Sequence, residues 1–322
     1  MRIPTAVCAL LALQATLACA QGTFPSKPIR LITLTTPGGA LDTLARVIAQ
    51  GLTERMGQPV LVEARTGAGG NIGAEAIARS APDGYTIGMV TVSTHGINPT
   101  LYGQKMPFDA LRDFAPITLA TIQRNIAVVN PSVPVKNIAE LVAYARANPG
   151  KLAFGSAGTG TSQHLSGELF KMVANIDLVH VPYKGAAQAM PDLVSGHISL
   201  MFVTPQEALP QVRAGKLRAI GVTTSDRSPL LPDAAPIAEQ GYPGFDVRAW
   251  FGVVAPAGTP GDIVNRYNRD VVATLTQTAT RDRLAAIGMD TETNTPEQFA
   301  SYIRAEIAKW APVVKASGAR VD

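Results

Sequence analysis

Cysteine is almost absent from this sequence, which has two in 322 residues, Cys8 and Cys19. Both lie in an N-terminal stretch, "MRIPTAVCALLALQATLACAQG", in which Arg2 precedes an apolar run that ends in Ala18-Cys19-Ala20. This order is typical of a secretory signal peptide. We therefore expect residues 1–20 to be removed after Ala20, which leaves a periplasmic protein without thiols or disulfides. Its stability then depends on its core.

Charged and aromatic residues are also few, at 16% and 6% of the chain. The formal net charge is +4, and the basic residues are scattered along the sequence. A nucleic-acid-binding protein would concentrate them in a patch or run, so we expect no nucleic acid partner. The apolar run of the signal peptide is shorter than the roughly 20 residues that span a bilayer. No later stretch qualifies as a membrane span, so the mature chain is expected to be soluble.

The sequence also lacks the motifs that mark a hydrolase nucleophile or a dinucleotide cofactor site. Ser156 and His164 share a loop, but "FGSAG" lacks the glycine two residues before the serine that a nucleophile elbow requires. The glycine cluster from Gly67 to Gly73 has one residue too many for a dinucleotide fingerprint. We therefore predict that the protein is not an enzyme and has no cofactor.

The four histidines are isolated from cysteine and from paired carboxylates, so no metal site is predicted. His180 and His197 are interpreted as structural residues at strand edges. His95 and His164 follow predicted strands at positions expected to face a cleft, and both are candidates for a ligand site.

Two series of strand-like runs and helical patterns alternate along the chain, which predicts an α/β fold built on parallel sheet. The first series begins with "IRLITL" and the second with "KLAFGSA", after which a helix is predicted from about Ser162 to Ala174. In the helical C-terminal part, Thr295 before Glu297 and Gln298 is a capping signal for a helix start. About 300 residues usually divide into more than one domain. We expect a first lobe from residues 21–124, a second lobe from residues 125–245, and a return to the first lobe over residues 246–322.

Two glycine-containing turns stand in equivalent places, each after the first strand of a lobe. They are "TTPGGALD" and "FGSAGTGTSQH". Glycine lets the backbone approach a ligand, and the helix start that follows offers unpaired N–H groups to an anion. Ligands of open α/β sheets bind beyond the carboxyl ends of the strands. The two turns are therefore predicted to face each other across a ligand cleft between the lobes, although ordinary strand-to-helix turns would look similar.

Several motifs occur in order over nearly the whole mature chain, among them "PGGALDTLAR", "GQPVLVEARTGAGGNIGAEAIARSAPDGYT", "FGSAGTGTSQHLSGELF", "VPYKGAAQAMPDLVSGHI" and "WFGVVAPAGTP". This ordered set closely resembles the Bug-type receptors, the extracytoplasmic substrate-binding proteins of tripartite tricarboxylate transporters. The resemblance implies a two-lobed periplasmic binding protein fold, type II-like, that closes on a small organic carboxylate.

The resemblance also implies which residues contact the ligand. On the first lobe it selects the turn residues Pro37, Gly38, Gly39, Ala40 and Asp42, with Asp42 bracing the turn or holding water. On the second lobe it selects Ser156, Thr159, Thr161 and His164. Thr35 stands where the family usually has an aromatic residue, which makes the pocket more polar there. The remaining candidates of the set are Ser93, His95, Ala157, Gly158 and Thr204.

The leading interpretation is a receptor that captures a di- or tricarboxylate, or a related acid, for integral membrane transporter subunits. Two alternatives are an exported enzyme acting on such an acid and a component that presents the ligand to a sensor kinase. The missing catalytic residue sets favour a receptor over an enzyme. The sequence does not separate transport from sensing, because both use the same ligand-bound state.

Overall fold

The chain folds around two β-sheets, one of six strands and one of five. The computed structural model describes residues 24–320, so the predicted signal peptide lies outside the described residues. In spatial order, the first sheet consists of β11 (Met289–Thr291), β4 (Phe114–Arg124), β10 (Arg248–Pro256), β3 (Thr86–Thr91), β1 (Ile29–Thr33) and β2 (Val60–Ala64). The second consists of β7 (Val179–Pro182), β6 (Ala153–Ser156), β8 (Leu200–Val203), β5 (Ile126–Val129) and β9 (Arg218–Val222).

Ten α-helices connect and cover these sheets within residues 24–320. Those before β4 are α1 (Ala40–Met56), α2 (Asn71–Ala78) and α3 (Asn98–Tyr102). Those between β5 and β9 are α4 (Ile138–Ala147), α5 (Ser162–Ala174), α6 (Ala186–Ser195) and α7 (Pro205–Arg213). The last three are α8 (Gly261–Leu275), α9 (Thr278–Ala285) and α10 (Pro296–Ser317). None of the described helices is both long enough and apolar enough to span a bilayer.

The alternation of strands and helices gives the predicted α/β fold, but neither sheet is purely parallel. Strands β1, β2 and β3 are parallel to one another, and so are β6, β7 and β8. Strand β5 runs antiparallel to both of its neighbours, and so does β10. The reason is the chain path, since β5 and β10 are the strands by which the chain enters the second sheet and re-enters the first.

The two crossings between the sheets lie side by side. Only Asn125 separates β4 from β5, and the return path runs from the end of β9 to the start of β10. Thr223 N donates to Asn125 O at 2.9 Å, and Val247 N donates to Thr223 O at 2.8 Å. The Thr223 hydroxyl accepts from Asn125 N at 3.1 Å and donates to Val247 O at 2.7 Å. These bonds join the connecting segments in one narrow region between the sheets.

The long helix α10 starts at the capping signal that the sequence predicts. Thr295 accepts from Gln298 N, and the Gln298 side chain accepts from Thr295 N, which forms a capping box. The helix packs against β4 and also against α5 of the second lobe. On its buried face, Glu306 accepts from Trp250 Nε1 at 2.9 Å and from Trp310 Nε1 at 3.1 Å. This carboxylate therefore ties α10 to β10 inside the core.

Candidate functional site

A cavity of about 700 Å³ lies between the two lobes. This volume is within the range of small-molecule sites. From the first lobe, the segments that line the cavity are the end of β1 and the turn after it (Leu34, Thr35, Thr36), the glycine cluster before α2 (Thr66, Gly67, Ala68, Gly69, Gly70) and the end of β3 (Thr91, Val92, Ser93). Gln123 of β4 and Ala249 and Phe251 of β10 complete this side, which we call the first wall.

The opposite side of the cavity, which we call the second wall, comes from three loops of the second lobe. These are the β6–α5 loop with the start of α5 (Ala157, Gly158, Thr159, Thr161, Ser162, Gln163), the β7–α6 loop (Tyr183, Lys184, Gly185) and Thr204 before α7. All three loops follow the carboxyl ends of parallel strands, where α/β proteins commonly bind their ligands.

Four helices start at the cavity. The N-cap residues are Gly70 for α2, Thr161 for α5, Gly185 for α6 and Thr204 for α7, and each of them lines the cavity. A helix start carries unpaired backbone N–H groups and the positive end of the helix dipole. One such start comes from the first wall and three come from the second. The site therefore presents backbone donors from both lobes.

The side chains that line the cavity carry one kind of charge. Lys184 is the charged residue among them, and no carboxylate lines the cavity within residues 24–320. Together with the helix starts of α2, α5 and α6, this makes the site electropositive, whereas at the start of α7 the Glu207 carboxyl group already accepts from Thr204 N. A small anion fits this field, and a cation does not.

Residues 37–42 of the first predicted turn lie outside the cavity lining. Thr35 and Thr36 line the cavity, but Pro37, Gly38, Gly39 and Ala40 do not. Asp42 is buried, and its Oδ2 accepts from Gly38 N at 3.0 Å and from Arg46 Nε at 2.9 Å. The Asp42 carboxylate thus accepts from a backbone amide of its own turn. Burial raises the pKa of this carboxyl group, but the hydrogen bonds from Arg46 and Gly38 and the charge of Arg46 outweigh burial, so the pKa is lowered.

The second predicted loop lies at the cavity, although two of its polar side chains point away from it. Ser156 is fully buried, and its Oγ lies 2.7 Å from His180 Nε2. His164 is also buried, accepts from Gly160 N at 3.2 Å and stacks on His180 at 4.0 Å. Burial lowers the pKa of His164 to about 3 and that of His180 to about 4, so both rings are neutral at pH 7. Ser156 and His164, which were expected to line the site, instead lie behind the loop and outside the cavity lining.

His95 lies in the core of the first lobe, away from the cavity. Its ring is fully buried and packs against Phe108 and Phe114, with centroid distances of 5.9 and 4.5 Å. Burial lowers its pKa to about 3. His95, which was expected to face the cleft, instead lies in the core and outside the cavity lining. The chain makes a π-helical turn over Ser93–Ile97, and within it Ser93 lines the cavity while His95 does not.

Behind the second wall, a chain of hydrogen bonds holds the loops together. Gln163 Oε1 accepts from Ala157 N at 2.9 Å, and Gln163 Nε2 donates to Glu207 Oε2 at 3.2 Å. The same oxygen of Glu207 accepts from Thr204 N at 3.1 Å and from Thr204 Oγ1 at 2.9 Å. Burial raises the pKa of Glu207, and these bonds oppose the rise. Two cavity-lining loops are thus fixed relative to each other before any ligand binds.

Sequence reasoning missed several cavity residues. The cluster Gly67–Gly70, which does not fit a dinucleotide fingerprint, lines the first wall. The glycine run between a strand and a helix is itself a sequence signal for a ligand-binding turn. It allows the positive φ angles of Gly67, Gly69 and Gly70. Gln123, Ala249 and Phe251 had no local signal. They belong to strands, and their exposure to the cavity depends on how the two lobes meet.

The family model described as "Tripartite tricarboxylate transporter family receptor" matches residues 44–319. The chain belongs to this family. Protein BugT of Bordetella pertussis is 36% identical to the receptor over 299 residues, which cover 93% of this chain and 92% of BugT.

Two solved structures with ligands are similar to the receptor. "R. palustris Rpa4515 with adipate" is 36% identical, with a TM-score of 0.86 over 92% of this chain and 100% of that one. "MatC (Rpa3494) from Rhodopseudomonas palustris with bound malate" is 32% identical, with a TM-score of 0.81 over 90% of this chain and 100% of that one. These likenesses confirm the predicted two-lobed periplasmic binding protein fold.

Family membership also confirms the predicted class of function. The protein is a periplasmic receptor for a small organic carboxylate and works with a membrane transporter. The prediction that it is not an enzyme is confirmed by its membership of a receptor family.

Proposed function

We propose that the receptor binds a dicarboxylate or tricarboxylate in the cavity, with one carboxylate at each wall, and that the lobes close around it. The observation that carries this proposal is the set of four helix starts that line the cavity from both lobes. Backbone N–H groups at a helix start suit a carboxylate, and their placement on opposite walls suits a ligand with two acidic ends.

The ligand-contacting residues in this proposal are those candidates that the cavity contains. They are Thr35 and Ser93 on the first wall, and Ala157, Gly158, Thr159, Thr161 and Thr204 on the second. The hydroxyl groups of Thr35, Ser93 and Thr159 can donate to a carboxylate or position water. Those of Thr161 and Thr204 already donate to Gly158 O at 2.7 Å and to Glu207 Oε2 at 2.9 Å, so they support the loops. Lys184 supplies a positive charge to the second wall.

Closure of the lobes follows from the two-sided site. A ligand bound by both walls stabilises the state in which they are close together. The connecting segments at Asn125, Thr223 and Val247 are the positions where the rotation is expected, because the chain passes between the sheets there.

A ligand screen tests the proposed function. Purified residues 21–322 are heated with a library of mono-, di- and tricarboxylates, with adipate, malate, succinate and citrate among them, and with the matching amides. A ligand at 100 times its Kd stabilises the folded state by about 2.7 kcal/mol, which raises the Tm measurably. We expect stabilisation by at least one dicarboxylate or tricarboxylate and by none of the amides. Stabilisation by monocarboxylates alone, or by no acid, would contradict the proposal.

We further propose export with cleavage after Ala20, on the basis of Arg2, the apolar run and Ala18-Cys19-Ala20. Intact-mass measurement on protein from a periplasmic extract tests this. A mass that retains residues 1–20, or that includes a lipid on Cys19, would contradict it. A sensor kinase as an additional partner stays a prediction.

A further inference from the structure

Gln123 is a polar residue of the cavity that none of the sequence motifs includes. It lies one residue before the end of β4, where it pairs with Ala249 of β10 and Met289 of β11. Ala249 lines the cavity beside it. The side chain of Gln123 is fully buried, and neither its Nε2 nor its Oε1 has a hydrogen-bond partner among the described residues.

An unpaired carboxamide in this position has a cost. A buried donor or acceptor without a partner destabilises a folded protein, and most buried polar groups are therefore paired. Gln123 has both kinds of group unpaired, and it lines the proposed binding cavity. A ligand in the cavity lies next to this residue, so a small shift of the side chain on binding can supply the missing partners.

The chemistry of the amide selects the kind of partner. The Nε2 group donates two hydrogen bonds and Oε1 accepts. A methylene satisfies neither atom. A carboxylate accepts from Nε2 but offers nothing to Oε1, whereas a hydroxyl group both accepts and donates. In the proposed site, the helix starts and Lys184 already provide donors for the carboxylates of the ligand. The amide of Gln123 is therefore left for another polar group.

We propose that Gln123 is a specificity-determining residue that favours hydroxy-substituted dicarboxylates and tricarboxylates over the same acids without the hydroxyl group. This inference rests on the proposed function, since it assumes that the cavity binds the acid. Sites that hydrogen-bond a substrate hydroxyl discriminate strongly against analogues that lack it, because their buried polar groups are then left unpaired.

The test compares malate with succinate, which differ by one hydroxyl group, in titration calorimetry. The variant Gln123→Leu removes both hydrogen-bonding groups and preserves most of the side-chain volume. Gln206→Leu is the matched control, because Gln206 also has an unpaired buried amide but lies outside the cavity. For the wild type we expect malate to bind more tightly than succinate.

In Gln123→Leu, malate should lose about tenfold in affinity, and succinate should change by less than about twofold. Gln206→Leu should keep the wild-type ratio. An unchanged malate-to-succinate ratio in Gln123→Leu, or a wild type that binds other acids but not malate, would overturn the inference and leave the proposed function standing. A wild type that binds no acid at all would overturn both.

Discussion

At the scale of single residues, Lys184 tests the electrostatic account of the site. Replacing it by methionine removes the positive charge of the second wall and keeps a long side chain. We expect the affinity for a dicarboxylate to fall about fivefold to tenfold at low salt, with a smaller loss at high salt, because salt screens an exposed charge.

Lys216→Met is the control for Lys184→Met. It removes the same charge from the second lobe at a position outside the cavity lining. Titration calorimetry at two salt concentrations distinguishes the variants. An equal effect of both substitutions would show that net charge matters and that Lys184 has no local role.

Gly158 tests the backbone geometry of the second wall. Its φ of +127° is a conformation that L side chains rarely adopt, and an added Cβ would lie 3.2 Å from Tyr183 O. We therefore expect Gly158→Ala to shift the loop between β6 and α5 and to weaken acid binding about tenfold, or about 1.4 kcal/mol.

Gly150→Ala provides the comparison for Gly158→Ala. Gly150 also has a positive φ, of +71°, but it does not line the cavity. Both variants should lose some stability in thermal unfolding, and Gly158→Ala alone should lose affinity in calorimetry. Wild-type affinity in Gly158→Ala would remove this loop from the binding site.

Sequence patterns located the cavity loops better than they located individual side chains. The loop from Ala157 to Thr161 was found because glycines and hydroxyl residues between a strand and a helix have a local signature. Whether a side chain in such a loop faces the cavity or the core has no local signature. His95 and His164 turn inward because aromatic rings from other segments of the chain pack against them. These rings are Phe108 and Phe114 for His95, and Phe154 and His180 for His164.

At the scale of secondary-structure elements, Glu306 tests how the C-terminal helix is attached. Glu306→Ala would leave the buried indole N–H groups of Trp250 and Trp310 without their shared acceptor. An unpaired buried donor costs about 1–3 kcal/mol, so we expect a loss of about 2–6 kcal/mol in the free energy of unfolding. Urea denaturation measures it. Arg304→Ala, at an exposed position on the same helix, should change stability by less than about 0.5 kcal/mol.

The elements themselves followed from the sequence wherever local rules decide them. The predicted helix from about Ser162 to Ala174 is α5, and the capping residues at Thr295 start α10. The directions of β5 and β10 did not follow, because alternation along the chain predicts parallel neighbours. Their antiparallel pairing depends on the path between two sheets, which only the tertiary structure determines.

At the scale of the whole molecule, the buried histidines predict how stability depends on pH. In the unfolded chain a histidine has a pKa near 6.5, but burial lowers the pKa of His95 and His164 to about 3. The unfolded state therefore binds more protons as the pH falls below 6.5, and the folded state loses stability. The loss at pH 5 is about 2 kcal/mol for each of these residues.

Denaturant unfolding at pH 7, 6 and 5 measures this dependence. His95→Gln should be less stable at pH 7 and should lose less stability on acidification than the wild type does. His197→Gln, at an exposed position, should keep the wild-type slope. An unfolding free energy that is constant from pH 7 to 5 would contradict the burial of neutral histidines.

The central claim is that one acid is bound by both walls and draws the lobes together. Small-angle X-ray scattering of residues 21–322 tests it most directly, with the receptor measured alone, with a saturating acid found in the ligand screen, and with the amide of that acid at the same concentration. The account predicts a smaller radius of gyration with the acid and an unchanged one with the amide. A radius of gyration that stays the same while calorimetry shows the site to be saturated would contradict binding between closing lobes.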